Sequence, residues 1–256
     1  MIRAPLTLAC IFAATVANAA TVRWIGLTDT GVINTGPIAS APALATGNWV
    51  QIGYFDNSLG ATQTAIDSAI RADGATVAGT ATLVNAFHTF AAVQINTGSQ
   101  AGNGAGGFDQ TSIVTLGTSS PFFGAQIYFW ALNSTNNTTL ATAEANVTQQ
   151  AIAYVPGSII HPTNGSNPWV FPSADNSPQV TIDISSLQTG GSVLDVGTFQ
   201  LGANNTNLFN AGFGSTNNAV QLASVAGVPP VPEASTFAVG LLAALAASGI
   251  RTRRRA

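Results

Sequence analysis

The sequence predicts a mainly β protein: an antiparallel, sandwich-like ectodomain with one or two short helices, followed by a C-terminal transmembrane helix. Three observations predict it. Short runs alternate in period two, as in NWVQIGYF (48–55), and Gly, Asn and Pro turns separate them. No internal repeat of fixed period recurs, which disfavours solenoids and propellers. The two ends differ in kind from the middle: long uncharged apolar runs lie in 1–19 and 228–256, whereas residues 20–227 hold the alternation.

Taken in order, Thr21–Leu27 reads as the first strand, with Val22 and Trp24 on one face. In Asn48–Phe55, the residues Trp49, Gln51, Gly53 and Phe55 point one way, and Val50, Ile52 and Tyr54 the other. Ser58–Asp73 breaks the pattern. Ala65, Ile66, Ala69 and Ile70 recur at helical spacing, with Ser58 as candidate cap and Gly74 as stop. Ala78–Val93 puts Leu83, Phe87 and Phe90 on one helical stripe yet is rich in Thr and Val, so both helix and strand stay open. FDQTSIVTL (108–116) reads as a strand. Phe122–Leu132 is the most aromatic segment and is large on both faces, which suits a central strand. Later strands are expected at Ala151–Val155, Val180–Ile184, Val193–Leu201 and Ala219–Val225. Strands at this spacing, with turn residues between them, argue for an antiparallel sandwich or barrel.

The leader has the three parts of a secretory signal peptide: Arg3, the uncharged apolar run Leu6–Val16, and the small-x-small step Ala17-Asn18-Ala19. The mature chain is expected to begin at Ala20. At the other end, Val228–Pro232 carries three prolines, Glu233 follows, and Ala234–Ile250 is 17 residues without a charge. A helix of that length spans about 25 Å against a bilayer core of about 30 Å, and snorkelling arginines help a short span fit. Arg251, Arg253, Arg254 and Arg255 stay on the cytoplasmic side, which places 20–227 outside.

This order of Pro-Glu, apolar helix and Arg cluster resembles the PEP-CTERM sorting signal of bacterial exosortase substrates. The matching residues are Val231, Pro232, Glu233, Ala234, Ser235 and Thr236, then the helix, then Arg253–Arg255. The usual pattern has Pro where Ala234 stands. The resemblance implies export, a transient membrane anchor, cleavage near Pro232-Glu233 by exosortase, and transfer to the cell surface or exopolysaccharide matrix. The chain would be the substrate of that chemistry. The body also looks like a group of PEP-CTERM ectodomains, through Val50–Phe55, Gly124–Trp130 and Trp169–Pro172; that group implies location and a β-rich fold, with no activity attached.

Composition narrows the function classes. Charged residues are 7% of the chain and lysine is absent. Residues 20–227 hold Arg23 and Arg71 against nine carboxylates, so a basic footprint for nucleic acid is missing. The only cysteine, Cys10, lies in the leader, which excludes disulfides, thiolate metal sites and cysteine nucleophiles from the body. Abundant Thr, Asn, Ser, Gln and Gly imply a surface solvated by neutral amides and hydroxyls.

The search for chemistry finds little. Gly102–Gly107 fits G-x-G-x-x-G, but a strand follows where a helix is needed, so a Gly-rich surface loop is the reading. His88, beside Phe87 and Phe90, is expected to be packed or half-buried; His161 precedes a proline in a loop. Neither falls in metal or triad spacing, so no cofactor, metal or catalytic residue is assigned. Calcium would rest on Asp175 and Asp183, without the alternating loop it prefers; a turn carboxylate usually caps backbone donors. The exported chain is therefore expected to be structural. A carbohydrate-binding module of the exopolysaccharide is the alternative, with Trp169, flanked by Pro168 and Pro172, as candidate contact and Trp49 and Tyr54 as further faces. A secreted enzyme ranks third.

Overall fold

The computed structural model describes residues 19–26, 29–97, 102–115, 120–156, 169–171, 180–188 and 192–227. The leader through Asn18 and everything from Val228 lie outside them, including the expected membrane helix 234–250. Among the described residues no helix is long and apolar enough to cross a membrane.

The chain is mainly β, in three sheets. In the first, β1 (Ala19–Gly26) lies between β5 (Phe108–Thr115) and β8 (Val180–Asp183). In the second, β11 (Asn218–Gln221) lies between β10 (Thr198–Gln200) and β2 (Thr30–Ile33). The third is six-stranded. It runs β12 (Ala223–Ser224), β7 (Val147–Tyr154), β6 (Tyr128–Ser134), β3 (Trp49–Phe55) and β4 (Phe87–Gln94), with β9 (Val193–Val196) also pairing β7. Its pairings are all antiparallel, as expected. The two smaller sheets correct the expectation, because β1 pairs β8 and β2 pairs β11 in parallel. A parallel partner must come from far along the chain, and alternation in one strand carries no information about it.

The six-stranded sheet is covered on both faces. The register sets Gln51 opposite Trp130 and Leu132 opposite Gln150, so these share one face. That face meets the helices α1 (Gln63–Asp73), α2 (Val77–Ala86) and α3 (Leu140–Ala145). The other face meets the first sheet: Phe129 of β6 stacks on Phe108 of β5 at 5.5 Å, and Phe108 packs on Trp24 of β1 at 5.8 Å. This explains why β6 reads as large on both sides: its residues Tyr128–Leu132 are all buried. The strand starts at Tyr128 rather than Phe122. Phe122 instead joins Phe90 and Phe171 in an edge-on aromatic cluster.

Helix limits follow from capping. Thr62, not Ser58, caps α1, its side chain accepting from Ala65 N. Ser58 turns back to Asp56, donating its backbone N–H to Oδ1 at 2.8 Å. The ambiguous segment 78–93 is both helix and strand. Thr76 caps α2, the helix ends at Ala86, and Phe87 enters β4 with extended dihedrals. The expected strand 193–201 divides at Gly197, whose φ of +90° sends β9 and β10 into different sheets. A side chain there would also meet Gln221 O at 2.5 Å.

Neutral amides carry much of the polar interior. Gln150, fully buried, accepts from Trp130 Nε1 at 2.9 Å and donates to Gly74 O and Thr80 Oγ1, both at 2.9 Å. One side chain thus fastens β7 to β6, to the end of α1 and to α2. A smaller core of Ile33, Leu208, Phe213 and Ala219 forms around β2, β11 and α4 (Thr206–Asn210). Asn205 caps α4 through Oδ1 and donates Nδ2 to Ile38 O and Ala41 O; Asn217 Oδ1 in turn accepts from Asn205 N. Amides make bonds of this kind without the desolvation cost of a charge. The composition that implies a neutral surface therefore also serves the core.

Candidate functional site

The end of β3 and the start of α1 enclose the main candidate. β3 delivers Tyr54 and Phe55, the chain turns through Asp56 and Asn57, and α1 presents Gln63 and Ile66. With Tyr128 from β6 they line a cavity of about 390 Å³. The Asx turn at Asp56 fixes the mouth, since Oδ1 accepts from Ser58 N and Oδ2 lies 2.9 Å from His88 Nε2. His88 stacks on Tyr54 with ring centroids 4.7 Å apart and planes 11° from parallel. The Ser58 and His88 bonds hold the Asp56 carboxyl below its usual range. Burial, then the charge of Asp56, pushes the Tyr54 hydroxyl up. Asp56, Ser58 and His88 are the residue types of a hydrolytic triad in the wrong order: the serine hydroxyl bonds the carboxylate, which stands between it and the imidazole.

Behind the cavity lies a buried polar cluster. Asp67 of α1 accepts from Gln63 Nε2 at 2.6 Å and from Tyr154 Oη at 2.7 Å, with Tyr128 Oη at 3.4 Å. Gln63 also donates to Tyr128 Oη. Burial pushes both tyrosine hydroxyls well above their usual range. Asp195 of β9 faces the same cluster with its side chain fully enclosed. Arg71 Nη2 lies 3.0 Å from Asp195 Oδ1 as an ion pair, and among the described residues no other donor satisfies the carboxylate. Burial first, then repulsion from Asp67, pushes the Asp195 carboxyl up to about 7, with Arg71 opposing.

Of the residues singled out from sequence, Tyr54 lines the cavity and His88 stacks on it, whereas the others fall elsewhere. Trp169 is completely buried, as is Phe171, so it has no face to offer a sugar. Sequence placed it in a loop because prolines flank it; its carbonyl in fact accepts from Ile127 N at 2.7 Å, which ties it to the core. Trp49 is half-buried and donates its indole N–H to Asn137 O. His88 is exposed rather than packed, because it projects from β4 onto Tyr54. The glycine stretch 102–107 precedes β5, as expected, but only its start is at the surface. Gly106 and Gly107 are buried, and at Gly106 (φ +79°) a side chain would meet Val32 O at 2.6 Å. Asp183 caps the turn into the 3-10 helix Ile184–Gln188, accepting from Ser185 N at 2.9 Å. Asp175 and His161 lie outside the described residues. Among the described residues no group of three or more His, Cys, Asp or Glu is placed to hold a metal. Both described arginines are ion-paired, Arg23 to Asp109 at 2.8 Å and Arg71 to Asp195.

Ala19 and Ala20, the expected cleavage step, are the first residues of β1, paired with Thr115 and Val114. Ala17, the sorting residues Val231–Thr236 and the four C-terminal arginines lie outside the described residues. Sequence reasoning missed Gln63, Asp67 and Asp195 as a group. One signal was legible: Asp67 adjoins Ile66 and lies one turn before Ile70, an acid at the margin of the apolar stripe of α1. Comparison with protein-family models, with curated proteins and with solved structures found no match to this chain.

Proposed function

We propose that this chain is an exported surface or extracellular-matrix protein, carried through the membrane by its leader and processed at its C-terminal sorting signal by an exosortase. The folded body, a sandwich-like arrangement of sheets with helices over one face, acts as a structural component. One observation carries the reading: a Pro-Glu step, an uncharged run and an arginine cluster stand in that order at residues 231–255. The run anchors the precursor transiently, and the arginines hold its far end in the cytoplasm. One feature of the body accords with it: residues 20–227 hold no cysteine, so folding there depends on no disulfide.

Mass spectrometry of the surface-released protein tests this directly. The expected product begins at Ala20 and ends near Pro232-Glu233. An intact chain dissolved in the cytosol, both ends untrimmed, overturns the reading.

A further inference from the structure

We propose that the cavity between β3 and α1 is a binding site for a non-anionic hexose unit of a polysaccharide, held by Tyr54, Asp56, Asn57 and Gln63. The ligand class rests on the exported, matrix-associated reading above, which puts polysaccharide within reach.

The lining has hydrogen-bonding capacity that the fold leaves unspent. Among the described residues no hydrogen bond joins the Tyr54 hydroxyl or the Asn57 side-chain amide to the protein, and the Gln63 amide donates inward to Asp67 and Tyr128 while no described donor reaches its Oε1. These groups supply donors and acceptors of both kinds, which adjacent sugar hydroxyls require. Asp56 adds an ionised carboxylate held in place by Ser58 and His88, a charged acceptor of the stronger sort. Phe55 and Ile66 form the floor of the cavity; both are buried in the core, so the contacts to the sugar come from the polar rim. The stacked His88 covers one side of Tyr54, so Tyr54 contributes chiefly its hydroxyl.

Charge decides the class of sugar. Among the described residues that line the cavity, Asp56 is the only carboxylate and there is no arginine. A uronate or sulfated unit would set like charges together in a partly desolvated site. The volume of about 390 Å³ is at the small end for ligand pockets, which suits a short unit rather than a long groove.

The test is calorimetric titration of the full chain in mild detergent with maltohexaose, cellohexaose, chitohexaose and an oligoguluronate. Saturable binding of at least one neutral hexaose and none of the oligoguluronate is expected. Asn57→Ala should weaken binding about tenfold, the loss of one or two hydrogen bonds. Because Asn57 is exposed, this variant should keep the wild-type near-ultraviolet spectrum. Asp56→Asn should weaken binding further. No saturable heat with any hexaose, tighter binding of the oligoguluronate, or binding indifferent to both variants overturns the proposal. A surface-released, trimmed chain that ignores every sugar sinks the site alone; a sugar-binding chain left untrimmed in the cytosol sinks the export reading alone.

Discussion

Asp195→Asn isolates the most strained electrostatic feature of the fold. The wild-type carboxyl sits between Asp67 and Arg71 of α1, near the Tyr128 hydroxyl of β6 and the Tyr154 hydroxyl of β7. Its pKa rises from an ordinary 3.8 to about 7 on folding. The folded state therefore holds a proton that the unfolded chain has released between about pH 4 and pH 7. In that window the folded state binds more protons, so stability falls as pH rises, and above about 7 the whole penalty is present. At about 1.4 kcal/mol per pH unit the ceiling is about 4 kcal/mol, and side-chain relaxation with water entry lowers it to roughly 2–4 kcal/mol. Urea unfolding followed by tryptophan fluorescence, from pH 4.5 to 8, measures it directly. Wild type should lose roughly 2–4 kcal/mol across that range through this group. Asp195→Asn has no proton to release there and should show a profile flatter by that amount. Arg71→Gln should extend the wild-type decline to higher pH, because Arg71 opposes the rise. Wild type and Asp195→Asn falling in parallel would refute the burial of an ionising carboxylate at this position.

Three further outcomes follow from the amide network and the caps. Gln150→Leu keeps volume but strands the Trp130 indole N–H and Gly74 O, while Thr80 Oγ1 keeps its bond to Thr76 O; a loss of about 2–4 kcal/mol in urea unfolding is expected, since each stranded buried group costs about 1–3 kcal/mol with partial relaxation. Asn205→Ala removes the α4 cap and both bonds to the 38–41 loop, and should cost about 2 kcal/mol or more; hydrogen exchange should quicken around β2 and β11 before the six-stranded sheet responds. Thr62→Ala should cost about 1 kcal/mol, whereas Ser58→Ala should leave α1 intact; the reverse order in thermal melts would return the cap to Ser58.

Residues 48–55 show how far the sequence reaches. Period-two alternation assigned every residue of this strand to its face, because a pleated backbone sends successive side chains to opposite sides whatever lies beyond. The same local logic placed a helix ending at Gly74 and a strand after the glycines at 102–107. It faltered where neighbours compete for one group. Ser58 has the chemistry of a cap, but Asp56 takes its hydroxyl, and Thr62 caps instead. Trp169 looked loop-like between prolines, yet its carbonyl completes a bridge to Ile127 that draws the ring into the core.

By itself, then, the sequence determined the β-rich class, the alternation within strands, the shortage of charge, and the order of chemical segments at the two ends. Each is a property of neighbouring residues. Only the tertiary structure decided that β1 and β2 take parallel partners, that helices cover one face of the large sheet, and that Gln63, Asp67, Tyr128, Tyr154 and Asp195 meet. Those contacts join positions far apart in the chain, and their energies depend on burial and distance, which no local pattern of residues encodes.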